Sequence, residues 1–114
     1  IPDNRGNQPI DRPISENGAP AYFSSIPVKE IAEAIRQAGV PAELSCTAGT
    51  YVCNHLLSRV LEDSALHHPD RMCGFLHVPY LPEQVIHQSR TPSMSLDTIL
   101  RGLEAALAAI IRCC

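Results

Sequence analysis

The chain is short of several features that mark common classes of protein. It has no cluster of lysine and arginine residues, and its net charge is −3 with a pI near 5.9. Without a basic surface to follow a phosphate backbone, we expect no nucleic-acid partner. Its apolar stretches lie in amphipathic patterns and are too short for a membrane span, so we expect no membrane partner.

The cysteines also lack the patterns of secreted and zinc-binding proteins. There are five, an odd number, and none forms a Cys-x-x-Cys pair. No Asn-x-Ser/Thr acceptor is present, and residues 1–6 lack the charged head and apolar stretch of a signal peptide. Reduced thiols in the cytoplasm are therefore the simplest prediction. A metal site is the alternative, but the spacing of its candidate ligands matches no common zinc pattern. Those ligands are Cys46, Cys53, His55 and Cys73.

What the chain does contain is enough apolar material for a core. Of its 114 residues, 45% are hydrophobic and 18% are charged, a composition typical of globular domains. The first 20 residues hold four of the ten prolines, and the chain starts at Ile1 without a methionine. We interpret this start as a chain joined in the middle of a domain.

Hydrophobic periodicity predicts helices that alternate with strands after an irregular start of about 25 residues. Helices are expected over about 27–38, 53–66 and 95–112, with strands near 42–46 and 72–78. The residues predicted to face inward are Val28, Ile31, Ala32 and Ile35 in the first helix, Cys53, Leu56, Leu57, Val60 and Leu61 in the second, and Leu96, Ile99, Leu100, Leu103, Leu107, Ile110 and Ile111 in the third.

This order of elements is typical of an α/β fold. Alternating strands and helices form a mainly parallel sheet with helices on both faces, which is a three-layer α/β/α sandwich. Two or three strands are few for such a sheet, since roughly five or six are typical. We therefore expect further strands upstream of this chain.

Two reactive side chains follow the predicted strands. Cys53 lies near the start of the second helix, and His77 lies where the second strand ends. Because the carboxyl ends of parallel strands meet at one edge of a sheet, we expect the two side chains there. The positive end of a helix dipole favours a thiolate, and backbone N–H groups there can bind an oxyanion. The pattern predicts thiolate attack on an amide carbonyl, with His77 protonating the leaving amine.

A structural role is the alternative for each of these residues. Cysteine is among the residues most often buried, so Cys53 could be a core residue of the helix. His77 lies between Leu76 and Val78, a setting in which a hydrogen-bonded core histidine is common. Glu83 could orient His77, although a surface carboxylate beside prolines is the simpler interpretation.

Four segments resemble the C-terminal half of the pyroglutamyl peptidase I family of cysteine peptidases. They are Ile-Pro-Asp-Asn-Arg-Gly at 1–6, Tyr-Phe-Ser-Ser-Ile-Pro-Val-Lys at 22–29, Thr-Ala-Gly-Thr-Tyr-Val-Cys-Asn at 47–54, and Gly-Phe-Leu-His-Val-Pro-Tyr-Leu-Pro-Glu-Gln at 74–84. The likeness runs along essentially the whole chain with its spacings intact. It implies that residues 1–114 are the C-terminal portion of a single α/β peptidase domain.

The resemblance implies a cysteine exopeptidase that uses no metal or organic cofactor. Its substrates would be peptides with an N-terminal pyroglutamyl (5-oxoproline) residue, hydrolysed through a thioester. Cys53 matches the family's nucleophile, and its N–H an oxyanion donor, while His77 matches the general base and acid. Ile1, Tyr51 and Val52 match positions that line an apolar pocket for the lactam ring. Family members often form dimers or tetramers, so a homo-oligomer is expected.

The resemblance also implies that part of the site lies outside this chain. The family's triad is completed by a glutamate upstream of Ile1, and an arginine near the oxyanion hole should immediately precede Ile1. Glu83 belongs to a Pro-Glu-Gln motif and does not match the triad acid. The alternative function is therefore a catalytically incomplete α/β fragment or binding module, because a histidine without its acid loses its working orientation.

Overall fold

The structure is a computed structural model and describes residues 2–113. Its elements are α1 (Val28–Gln37), α2 (Val52–His67), a short 3-10 helix (Pro82–Gln84) and α3 (Leu96–Cys113). All three predicted α-helices are therefore confirmed, as is the irregular start.

The described residues divide into two compact units that interleave along the chain. The first contains the segment that ends at Ile26 together with Ser45–Phe75, and so includes α2. The second contains Pro27–Leu44 together with the segment from Leu76 onwards, and so includes α1 and α3. Each unit therefore depends on chain segments that are distant in sequence.

In the second unit, α1 packs against α3 through its predicted apolar face. Ile31, Ala32 and Ile35 are buried as predicted, whereas the prediction is wrong for Val28, which is exposed at the first turn. Just beyond the helix, Gly39 has a φ of +76°. This left-handed conformation is one that glycine adopts without steric cost, so Gly39 ends the helix as predicted.

The start of α3 is confirmed, but its inward face differs from the prediction. The Thr98 N–H donates to the Ser95 hydroxyl at 3.3 Å, which is an N-cap bond. The buried residues are Ile99, Gly102, Ala106 and Ala109, while Leu96, Leu100, Leu107 and Ile111 are exposed. Small side chains allow a close approach, since a Cβ on Gly102 would lie only 3.2 Å from Val40 Cγ1. The prediction is right for Ile99, which is buried, and for Leu103 and Ile110, which are half-buried. It is wrong for the four exposed residues and missed the small ones, because hydrophobic periodicity gives little weight to glycine and alanine.

In the first unit, α2 has the predicted extent, but only part of its predicted inward face is buried. Leu61, Glu62 and Ser64 are buried, whereas Leu56 and Val60 are 52% and 43% exposed. The prediction that Leu56 and Val60 point inward is wrong for this chain. Glu62 is buried because Gly18 and Tyr22 of the N-terminal segment lie against its carboxylate.

The segments predicted as strands form no strand within residues 2–113. Near the second segment, the Ser25 N–H donates to the Cys73 carbonyl and the Cys73 N–H to the Ser25 hydroxyl, both at 2.8 Å. A ladder needs repeated backbone pairs with a neighbouring strand, and one backbone bond does not supply them. Among the described residues, the β-bridge between Tyr80 and Ser93 is likewise isolated and belongs to no strand. The predicted parallel sheet is therefore not seen in the described residues.

Candidate active site

The loop that leads into α2 is shaped by short side-chain bonds. The Ser45 hydroxyl donates to the Thr47 carbonyl at 2.8 Å, and the Gly49 N–H donates to the Thr47 hydroxyl at 3.0 Å. Gly49 has a φ of +82°, where a side chain would be strained. Local bonds of this kind favour turns over regular structure, and the chain bends before α2 begins.

Cys53 lies in the first turn of α2, as the sequence predicts. The helix begins at Val52, and the Tyr51 carbonyl accepts the His55 N–H at 3.1 Å. Tyr51 is the N-cap residue, and its side chain makes no capping hydrogen bond. Cys53 is half-buried. The partial positive charge of the helix dipole is concentrated at this end of α2, where negative charge in a reaction would be stabilised.

His77 lies in a different unit from Cys53. It is exposed, on the segment that follows Phe75 and belongs to the second unit. The core-histidine alternative is wrong for this chain, because a core residue would be buried. Glu83 is also exposed, within the 3-10 helix of the same unit. The pairing of Cys53 with His77 stays a prediction.

Two of the three residues predicted to line the substrate pocket lie side by side at the start of α2. Tyr51 is 38% exposed and Val52 is 56% exposed. The Tyr51 hydroxyl donates to the side-chain oxygen of Asn4 at 3.3 Å. Ile1, the third predicted residue, lies outside the described residues. Sequence reasoning missed Asn4, whose only signal was its place in the segment 1–6.

Asp3 organises the turn that carries Asn4. Its carboxylate accepts the N–H groups of Arg5 and Asn7, each at 2.8 Å, and the side-chain amide of Asn7 at 3.1 Å. The Gly6 N–H donates to the Asp3 carbonyl at 2.9 Å. The hydrogen bond from the Asn7 side chain, followed by those from the two N–H groups, lowers the pKa of Asp3. The charged carboxylate therefore holds the turn.

A second polar cluster lies in the C-terminal half of α2, more than one turn from Cys53. The Arg59 guanidinium lies 2.6 Å from the Glu62 carboxylate, and the Tyr22 hydroxyl donates to Glu62 at 3.4 Å. A shallow depression adjoins it, lined by Ser15, Arg59, Glu62, Asp63, Leu66 and His67. The cluster fixes the N-terminal segment on α2 and holds no residue predicted to react.

The cysteines of the described chain are thiols. Cys46 and Cys113 are exposed, and Cys73 is half-buried like Cys53. Among residues 2–113, no three histidine, cysteine or acidic side chains group closely enough to hold a metal ion. Within the same range, no helix combines the length and apolar content needed to cross a bilayer.

Comparison with known proteins identifies close relatives of this chain. The family model described as pyroglutamyl peptidase matches residues 1–113. A pyrrolidone-carboxylate peptidase of Staphylococcus carnosus is 56% identical over 110 residues, which are 96% of this chain and 52% of that protein. One of Levilactobacillus brevis is 54% identical over 111 residues, 97% and 54% of the two chains. The chain thus spans about half the length of the curated relatives it matches.

Solved structures give the same result. The crystal structure of pyroglutamyl peptidase I from Bacillus amyloliquefaciens superposes with a TM-score of 0.89 at 46% identity, over 96% of this chain and 52% of that chain. The pyrrolidone carboxyl peptidase of Pyrococcus furiosus superposes with a TM-score of 0.90 at 37% identity, over 98% and 56%. These neighbours are α/β proteins, the class that the sequence predicts.

Proposed function

We propose a function for this chain from its membership of a family: it belongs to the pyroglutamyl peptidase family. It would supply the nucleophile and the general acid–base of a cysteine exopeptidase that cleaves the amide bond after an N-terminal pyroglutamyl residue. The observation that carries the proposal is the family match along residues 1–113. The place of Cys53 in the first turn of α2 supports it.

The first step is attack of the Cys53 sulfur on the carbonyl carbon of the amide bond that links the pyroglutamyl residue to the rest of the peptide. His77 takes the thiol proton as the C–S bond forms, and it gives that proton to the leaving nitrogen as the C–N bond breaks. The products are a pyroglutamyl thioester on Cys53 and a peptide shortened by one residue.

The second step is hydrolysis of this thioester. His77 takes a proton from water as the water oxygen attacks the thioester carbonyl, and the proton returns to the Cys53 sulfur as the C–S bond breaks. Pyroglutamate is released, and both side chains regain their starting state. Each step forms an oxyanion on the carbonyl oxygen. The N–H groups and dipole at the start of α2 support its stabilisation.

Tyr51, Val52 and Ile1 are proposed to form part of the pocket for the lactam ring. A pyroglutamyl residue has no charged α-amine, so an apolar wall with a few backbone partners suits it. The exposure of Tyr51 and Val52 at the start of α2 supports this role, because both side chains are accessible beside the proposed nucleophile.

Residues 1–114 are proposed to be the C-terminal portion of a single three-layer α/β/α domain with a mainly parallel sheet. Exposed apolar side chains on α2 and α3 support this, since such surfaces are normally covered by another layer. In the protein at the length its gene encodes, here called the natural-length protein, segments 42–46 and 72–78 would pair with neighbouring strands.

We also propose that the natural-length protein assembles as a dimer or tetramer and works in the cytoplasm, where the Cys53 thiol stays reduced. Sedimentation equilibrium measures the assembly, and cell fractionation the location. A monomer, or activity found only outside the cell, would contradict the corresponding part of the proposal.

The function is tested with a chromogenic pyroglutamyl amide and the natural-length protein. We expect Cys53→Ala to abolish turnover, and Cys46→Ala, which removes an exposed thiol of the same unit, to keep it. Mass spectrometry of the wild type after rapid acid quench should detect a pyroglutamyl adduct on Cys53. Full turnover by Cys53→Ala would overturn the proposal.

The catalytically incomplete fragment remains the second candidate for the 114-residue chain taken alone. It is favoured by one observation, that the chain spans about half the length of its relatives. The family resemblance also places the residue that would complete the triad upstream of Ile1.

A further inference from the structure

Tyr51 is anchored by its hydroxyl at the point where α2 begins. Its backbone occupies the N-cap position, with φ −130° and ψ −151°, and its side chain caps no N–H group of the helix. The ring instead reaches the N-terminal segment, where its hydroxyl donates to the Asn4 side-chain oxygen at 3.3 Å. Residues 47 positions apart are thereby joined beside Cys53.

The backbone that carries the partner of this bond is held in a turn. Asn4 lies between Asp3 and Arg5, inside the turn that the Asp3 carboxylate closes with three hydrogen bonds. A fourth bond, from the Gly6 N–H to the Asp3 carbonyl, closes the same turn through the backbone. An acceptor side chain on such a turn loses only its own rotamer freedom when it receives a hydrogen bond, because its backbone is already fixed.

We propose that Asn4 is a positioning residue for the substrate pocket. Its side chain holds the Tyr51 ring in one orientation at the start of α2. The inference rests on the proposed function, in which Tyr51 lines the lactam pocket. Asn4 does not touch the reacting atoms; it acts through Tyr51. Without the bond, an exposed tyrosine at an N-cap position samples several rotamers, and ordering it on binding weakens substrate affinity.

The kinetic test uses the natural-length protein and a chromogenic pyroglutamyl amide. Asn4→Ala and Tyr51→Phe should each raise KM about two- to tenfold, the range for loss of one hydrogen bond, and change kcat by less than about twofold. The double variant should resemble the single variants, because both remove the same bond. Asn4→Asp keeps an acceptor oxygen and should restore a KM near that of the wild type.

Tyr22→Phe is the matched control. It removes another tyrosine hydroxyl of the same unit, one that donates to Glu62. It should lower the thermal midpoint and leave KM unchanged. KM effects that add in the double variant, or an equal KM increase in Tyr22→Phe, would overturn the proposal.

A spectroscopic readout observes the bond without turnover. In protein labelled with 3-fluorotyrosine, the resonance missing from Tyr51→Phe identifies Tyr51, and Asn4→Ala should shift that resonance alone. An unshifted Tyr51 resonance overturns the inference. If the wild type does not cleave the amide, the proposed function fails and this inference falls with it. A wild type that turns over with unchanged Asn4 variants overturns this inference only.

Discussion

The Arg59 guanidinium lies 2.6 Å from the Glu62 carboxylate, across one turn of α2. Glu62 is only 7% exposed, whereas about half of the Arg59 side chain reaches solvent. Gly18 packs against the same carboxylate so closely that a Cβ there would lie 2.9 Å from Glu62 Oε1. The ion pair thus neutralises the buried charge of Glu62, against which the N-terminal segment packs.

Removal of Arg59 should therefore destabilise the protein. Arg59→Met keeps the apolar stem but leaves a buried carboxylate without its cation, so we expect the free energy of unfolding to fall by about 1–2 kcal/mol. Urea unfolding of the natural-length protein measures it. Arg101→Met is the control, since Arg101 and Asp97 are exposed and 3.9 Å apart and should contribute less than about 0.5 kcal/mol. Equal losses in the two variants would contradict the assignment.

Gly74 should not tolerate a side chain. A Cβ there would overlap the Ile26 side chain and lie 2.6 Å from the Ser24 hydroxyl, which donates to the Cys73 carbonyl. We expect Gly74→Ala to lower the free energy of unfolding by about 1–3 kcal/mol, as overpacking does. The same substitution should have a smaller effect in an Ile26→Ala background. An equal effect in both backgrounds would show that Ile26 is not the obstacle.

His77 should be needed for turnover but not for folding. Because it is exposed, His77→Ala should change the free energy of unfolding by less than about 0.5 kcal/mol. As the proposed acid and base, its loss should lower kcat by about 100-fold or more. Steady-state kinetics and urea unfolding measure the two effects. His87→Ala, at an exposed histidine of the same unit, should leave both unchanged. A His77→Ala variant that is active, or unfolded, would refute the assignment.

The turn at Asp3 should loosen in acid. The hydrogen bonds from Asn7 and Arg5 lower the folded-state pKa of Asp3 below its ordinary value of 3.8. The stabilisation is therefore complete above pH 3.8 and is lost as the pH falls through the lower folded-state value. Amide proton shifts of Arg5 and Asn7, followed by NMR during acid titration, report the transition.

Two substitutions assign that transition. Asp3→Asn should abolish it, because the new side chain does not titrate. Asp11→Asn, at another aspartate of the same unit, should leave it in place. If the Arg5 and Asn7 shifts follow the same acid transition in Asp3→Asn, another carboxylate controls the turn.

The 114-residue chain produced alone should expose apolar surface and react poorly. Leu56 and Val60 on α2 and Leu100 and Leu107 on α3 are 43–60% exposed, so we expect strong binding of a hydrophobic dye. If the triad acid lies upstream of Ile1, as the family resemblance implies, kcat/KM should be at least about 100-fold below that of the natural-length protein. Dye fluorescence and steady-state kinetics measure the two quantities. Equal activity of both proteins would show that the chain carries a complete site.

The sequence predicts helices well here, but it predicts their buried faces only where large residues mark them. In α1 the burial of Ile31 and Ile35 follows the periodicity, because one apolar stripe meets one partner. In α3 the contact uses Gly102 and Ala106, whose small side chains give little hydrophobic signal. Close helix packing depends on backbone approach, which a pattern of large apolar residues does not register.

The sequence predicts the site and the strands with different success. The position of Cys53 in a first helical turn follows from local turn and helix signals, so it could be predicted. A strand at 42–46 or at 72–78 would need a neighbouring strand to pair with, and residues 2–113 contain none. Asn4 was missed because its bond to Tyr51 joins distant parts of the chain through two exposed polar side chains, and such a contact leaves no periodic trace.

The interleaving of the two units determines the order in which the chain can fold during its synthesis. α1 leaves the ribosome before α2, yet its partner α3 follows only after roughly 60 more residues. The apolar face of α1 therefore stays without its partner helix while the whole of Ser45–Phe75 is synthesised. A nascent chain paused before α3 presents that face to chaperones and to other nascent chains. Slow translation of the residues between α1 and α3 is therefore expected to lower the yield of folded protein.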